Sequence, residues 1–72
     1  MCGIVGYIGH RDAYSVIIKG LHRLEYRGYD SAGIATVLEG KITCIRAKGK
    51  LFNLREKLEN QVNPSQIGIG HT

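Results

Sequence analysis

A chain of 72 residues, 43% hydrophobic and 22% charged, has room for one small domain and the composition of an ordinary soluble globular protein. No apolar run reaches the ~20 residues needed to span a bilayer, and Met1 to Gly9 lacks the basic start and longer apolar stretch of a secretory signal, so no membrane segment is expected and the cytoplasm is the expected location. The net charge of +4 comes from basic residues scattered between Arg11 and Lys57 rather than gathered in one stripe, a distribution that argues against a nucleic-acid partner.

Reading from the start, Cys2 to Gly9 places Ile4 and Ile8 on one face of an extended segment and Val5 and Tyr7 on the other. Both faces are apolar, the pattern of an interior strand covered on two sides. Asp12 is the expected N-cap of a helix over Ala13 to Tyr26, with Ala13, Ile17, Gly20, Leu21 and Leu24 along one stripe and Ser15, Lys19 and His22 opposite. Gly28 is the expected stop, since a residue without Cβ accepts the left-handed conformation common just past a helix end.

Gly33 to Leu38 and Lys41 to Lys48 are β-branched and apolar on either side of Glu39-Gly40, which predicts a hairpin whose glycine supplies positive φ. Leu51, Leu54 and Leu58 fall at helical spacing and predict a second amphipathic helix over Lys50 to Asn60, ended by Asn63-Pro64-Ser65. Ile67 to Thr72 opens another strand and stops without a turn. Strand, helix, two strands, helix, strand is a layered α+β arrangement, in which the sheet would need helices on one face and a further layer on the other. Two cysteines without Cys-x-x-Cys spacing provide no staple for so short a chain, which therefore reads as part of something larger.

The chemistry concentrates at Cys2. Removal of Met1 would leave a thiol and a free α-amino group on one residue, and since amines of this kind titrate near ~7.7–8.0 and thiols near ~8.5, the amine can accept the thiol proton at neutral pH. The same logic operates where an N-terminal amine activates a threonine hydroxyl. From position alone the simpler reading of Cys2 is a small hydrophobe at the chain start. A second polar cluster, R-L-E-Y-R-G-Y-D-S-A-G from Arg23 to Gly33, contains Arg27 and Asp30. A guanidinium there could brace the backbone of a neighbouring strand through paired hydrogen bonds, or simply form a solvated ion pair. His10 and His22 read as solvent-exposed, Cys44 as a buried strand residue, and a Cys2–Cys44 disulfide as unexpected in a reducing compartment.

Three blocks, C-G-I-V-G directly after Met1, R-L-E-Y-R-G-Y-D-S-A-G, and the closing G-I-G-H-T, resemble in order and spacing the class II glutamine amidotransferases, which are N-terminal-nucleophile hydrolases. Tyr26-Arg27-Gly28-Tyr29-Asp30-Ser31 is similar to the glucosamine-6-phosphate synthase branch, whereas amidophosphoribosyltransferases and asparagine synthetases usually carry His before the Arg-Gly. The resemblance covers Cys2 to Thr72, about a third of the family's glutaminase domain and none of its sugar isomerase domains.

It implies a fragment of a four-layer αββα sandwich, with Cys2 as the attacking thiol, Arg27 and Gly28 supporting it, and His71 and Thr72 as candidates for supporting the substrate loop. It further implies L-glutamine as substrate, fructose 6-phosphate as acceptor in the full-length parent, no cofactor or metal, and a homo-oligomeric parent. The family pattern continues after His71-Thr72 with R-W-A-T-H-G, whose Arg is the expected clamp for the glutamine α-carboxylate. The Asn-Gly oxyanion hole and the Asp that binds the α-amine lie further on. A polypeptide of these 72 residues alone is therefore expected to be inactive. A non-catalytic module that keeps the start of the fold, and a thiol-redox protein using Cys2 and Cys44, are the other readings, the last without the spacing that lowers a thiol pKa.

Overall fold

The computed structural model describes residues 2–25, 31–59 and 64–72. Its elements are β1 (Ile4–Ile8), α1 (Ala13–Leu24), β2 (Ser31–Leu38), β3 (Lys41–Lys48), α2 (Leu51–Glu59) and β4 (Ile67–His71). The four strands form one antiparallel sheet in the order β1-β4-β2-β3, so the strand formed last in sequence is inserted between the first two. The α+β class and the element order are those expected.

Both helices lie on one face of the sheet. The stripe predicted for α1 is the buried one, with Ala13, Ile17 and Leu21 fully enclosed and Ser15, Lys19 and His22 exposed. Its seat is provided by β4, where the residues facing the helix are Gly68 and Gly70. A Cβ at Gly70 would run into the Ile17 side chain, and one at Gly68 would lie 2.8 Å from the Ala35 carbonyl oxygen. Leu51, Leu54 and Leu58 of α2 are likewise buried and join Ile34 and Ala47 in the core. Full burial of a leucine-sized side chain stabilises by ~1.5–3 kcal/mol, so these two stripes hold the layers together.

Several expectations need correcting. The helix ends at Leu24, two residues before Tyr26, and the expected stop at Gly28 lies outside the described residues. Asp12 occupies the N-cap position but makes no side-chain cap. Its carboxylate accepts from Ser15 Oγ at 3.2 Å, while the Ala13 N–H, which an N-cap side chain does not reach, donates to the Ser65 carbonyl at 2.9 Å. The hairpin turn uses positive φ at both Glu39 (52°) and Gly40 (78°). Two such residues match the twist of the flanking strands, which one glycine could not do alone. The second helix spans Leu51–Glu59, and Asn60 lies outside the described residues.

The larger correction concerns β1. It is an edge strand, with Ile4 78% and Ile8 77% exposed, rather than an interior strand covered on two sides. Apolarity on both of its faces was read correctly, but only the face bearing Val5 and Tyr7 meets a helix. Ile4, Ile8, Val37, Ile42, Ile67 and Ile69 all lie on the opposite, uncovered face. Cys44, expected to be buried, is exposed there for the same reason.

Ser65 is the polar counterpart of this packing. Only 1% exposed, its hydroxyl accepts from the Ile67 N–H at 3.2 Å and shares its single proton between the Val37 carbonyl and the Ile67 carbonyl, the latter at 2.9 Å. The Tyr14 hydroxyl, by contrast, is buried with no hydrogen-bond partner among the described residues. Ser65→Ala is expected to cost ~1–3 kcal/mol by leaving those backbone groups unsatisfied, whereas Tyr14→Phe removes an orphaned hydroxyl and is expected to be neutral or stabilising. Urea-unfolding midpoints of the two variants, shifted in opposite directions or with Tyr14→Phe unmoved, check the pair.

Candidate active site

Cys2 lies exposed at the entrance to β1, separated from Ile4 by Gly3 alone. The series Cys2, Ile4, Gly6, Ile8 alternates along an extended chain, which puts the cysteine at one end of the uncovered face. Across the sheet, Ile4 is opposite His71, His71 is opposite Gly33, and Gly33 is opposite Arg46. A Cβ at Gly33 would lie 2.7 Å from His71 Nε2 and 2.8 Å from Arg46 Cγ, so both long polar side chains lie over the glycine, which is buried beneath them.

The uncovered face is therefore graded. The cross-strand row nearest Cys2 carries Ile4, His71 and Arg46, the next carries Ile69, Ala35 and Cys44, and the last carries Ile8, Ile67, Val37 and Ile42. An accessible thiol thus stands at the polar end of an otherwise apolar surface. The sheet also joins residues distant in the chain, because the end of β4 lies beside the start of β1. Thr72 donates its N–H to the Gly3 carbonyl at 3.0 Å, and the Gly3 N–H donates to Thr72 Oγ1 at 3.1 Å.

Of the residues singled out in the sequence, Cys2, His71 and Thr72 come together at this end of the sheet. Arg27, Gly28 and Asp30 lie outside the described residues. His10 and His22 are exposed, and His22 Nδ1 is 3.2 Å from Glu25 Oε1 on the outer face of α1. The clefts lined by Tyr14, Arg55 and Leu58, by Arg46, Lys48 and Lys57, and by Ile18, His22 and Arg55 do not include Cys2. Among the described residues, no cluster of His, Cys, Asp or Glu is arranged to hold a metal ion, and no helix is long and apolar enough to cross a membrane. Sequence reasoning missed Arg46, whose place beside His71 depends on strand pairing. Its alternation with Cys44 and Ile42 was the available signal.

All 72 residues align with glutamine–fructose-6-phosphate aminotransferase [isomerizing] of Synechocystis sp. at 74% identity, covering 11% of that protein. The aminotransferases of the same name from Nostoc sp. and Pyrococcus horikoshii match over the same 72 residues at 69% and 61% identity, each covered to 12% of its length. Over its whole length the chain is similar to these aminotransferases. No family model matches it. The chain spans 11–12% of the length of the curated relatives it matches.

Proposed function

We propose that these residues are the first part of a glutamine-hydrolysing domain in which Cys2 is the nucleophile. With Met1 removed, the α-amine of Cys2 accepts the thiol proton as Sγ attacks the side-chain amide carbon of L-glutamine. The proton passes to the leaving nitrogen, the C–N bond breaks, ammonia departs and a γ-glutamyl thioester remains. Water then hydrolyses the thioester, giving glutamate and regenerating the thiol. In the full-length parent the ammonia is used on fructose 6-phosphate to make glucosamine 6-phosphate. The observation that supports this reading is an exposed Cys2 directly after Met1, two residues before β1 begins at Ile4.

The fold supports it as well. A sheet covered by two helices on one face and bearing a contiguous apolar surface on the other is half of a four-layer αββα sandwich, the second sheet packing on Ile8, Ile67, Ile69, Val37 and Ile42. Arg27 and Gly28 support the nucleophile, and His71, opposite Ile4 in the sheet, lies toward the substrate loop. Sugar isomerase domains belong to other parts of the parent.

Acid-quenching a full-length protein that carries this segment during turnover of glutamine, and digesting it, is expected to yield the N-terminal peptide with a γ-glutamyl group on Cys2 and with Met1 absent. Steady turnover with no label on that peptide refutes the thioester. No turnover and no label identifies the segment as a non-catalytic module.

A further inference from the structure

We propose that Thr72 is a positioning residue for the nucleophile, acting through its hydroxyl on the backbone of Gly3. This rests on the reading of Cys2 as the attacking residue. The register that sets Ile4 opposite His71 continues one step to set Gly3 opposite Thr72. In a regular antiparallel pair of this kind, two opposed residues exchange both N–H···O=C bonds. One of these is present, from the Thr72 N–H to the Gly3 carbonyl at 3.0 Å. The other is replaced, since the Gly3 N–H donates to Thr72 Oγ1 at 3.1 Å. The threonine hydroxyl has taken over the acceptor role that the ladder gives to a main-chain carbonyl.

The replaced bond is the one that matters for Cys2. The Gly3 N–H belongs to the Cys2–Gly3 peptide, whose six atoms are coplanar and include the Cys2 Cα, carbonyl carbon and oxygen. Anchoring that N–H fixes the plane from which the cysteine projects, and leaves only rotations about its own Cα bonds to aim the amine and the thiol. An ordinary strand end frays, and a nucleophile placed one residue beyond it would lose alignment with its substrate. Gly3 is partly buried, so little of that N–H is left for water to satisfy. Serine can accept the same bond. Valine, of the same shape as threonine, cannot.

The test compares Thr72→Val and Thr72→Ser in a full-length protein carrying this segment. Thr72→Val is expected to lower kcat for glutamine hydrolysis about tenfold to a hundredfold with KM held within about threefold, and Thr72→Ser to stay within about threefold of the parent. Alkylation of Cys2 by iodoacetamide, which needs no aligned partner, is expected to change by less than about threefold in either variant. An unchanged kcat in Thr72→Val, an equal loss in Thr72→Ser, or a parallel fall in alkylation overturns the proposal. Should Thr72→Val not fold, hydrogen exchange at the Gly3 amide of the unmodified protein decides, protection comparable to the β1 amides supporting the anchor and exchange at an open-chain rate removing it. A Cys2→Ala variant with undiminished hydrolysis defeats the nucleophile reading itself. Loss in Cys2→Ala with full activity in Thr72→Val defeats only the role of Thr72.

Discussion

Cys2→Ala in a full-length protein carrying this segment is expected to lower glutamine hydrolysis by on the order of 10⁴–10⁶, the scale on which removing an attacking residue acts when the rest of a site is intact. The substitution takes away the sulfur but leaves the α-amine, the exposed position and the Gly3–Thr72 bonds, so folding is expected to be unaffected. The same variant tests the base. Because thiol and amine sit on one residue, a fully active protein that retains Met1 by intact-mass measurement would exclude the amine as proton acceptor even if Cys2→Ala were dead. Retained glutaminase activity in Cys2→Ala would mean that hydrolysis runs by another route.

Ile69→Glu is expected to have opposite consequences in two settings. In the 72-residue chain Ile69 is 55% exposed at the middle of the uncovered face, flanked by Gly6 and Ala35. A carboxylate there stays in water, so the thermal midpoint should barely move, and any self-association through the apolar face should weaken in sedimentation velocity. Where a second sheet packs on that face, the same carboxylate is buried without a partner at a cost of ~3–5 kcal/mol, enough to unfold many domains of this kind. A full-length protein that tolerates Ile69→Glu within ~0.5 kcal/mol by denaturant unfolding would show that nothing covers the face, and the four-layer sandwich would have to be abandoned. A lysine at the same position should behave alike, since the penalty comes from desolvated charge rather than from its sign.

Much of the local structure was legible because it depends on short-range periodicity. The Ile17 and Leu21 stripe, the Leu51, Leu54 and Leu58 stripe and the alternation of Val5 and Tyr7 against Ile4 and Ile8 each report which residues turn toward a common side. Glu39-Gly40 marked the hairpin because few residue pairs accept a turn that tight. The errors lie where a distant segment supplies the partner. Asp12 has the side chain of a cap, yet the first N–H of α1 is satisfied by Ser65, a residue whose nearness to Ala13 no local pattern reveals. Cys44 alternates like a core residue and is exposed because both helices pack on the other face of the sheet.

For the site, the sequence by itself supplied the candidate chemistry: a thiol at Cys2, in a chain whose Arg27-Gly28 and His71-Thr72 blocks fall in the order expected from the family resemblance. It also determined that the strands would be apolar on both faces. Only the tertiary structure decided that β4 enters between β1 and β2, and hence that Thr72 meets Gly3 across 69 positions while His71 and Arg46 share the glycine at 33. Periodicity fixes which way a side chain turns within its own element. Which elements become neighbours is settled by burial and backbone pairing summed over the whole sheet, and that sum has no signature in any short stretch of sequence.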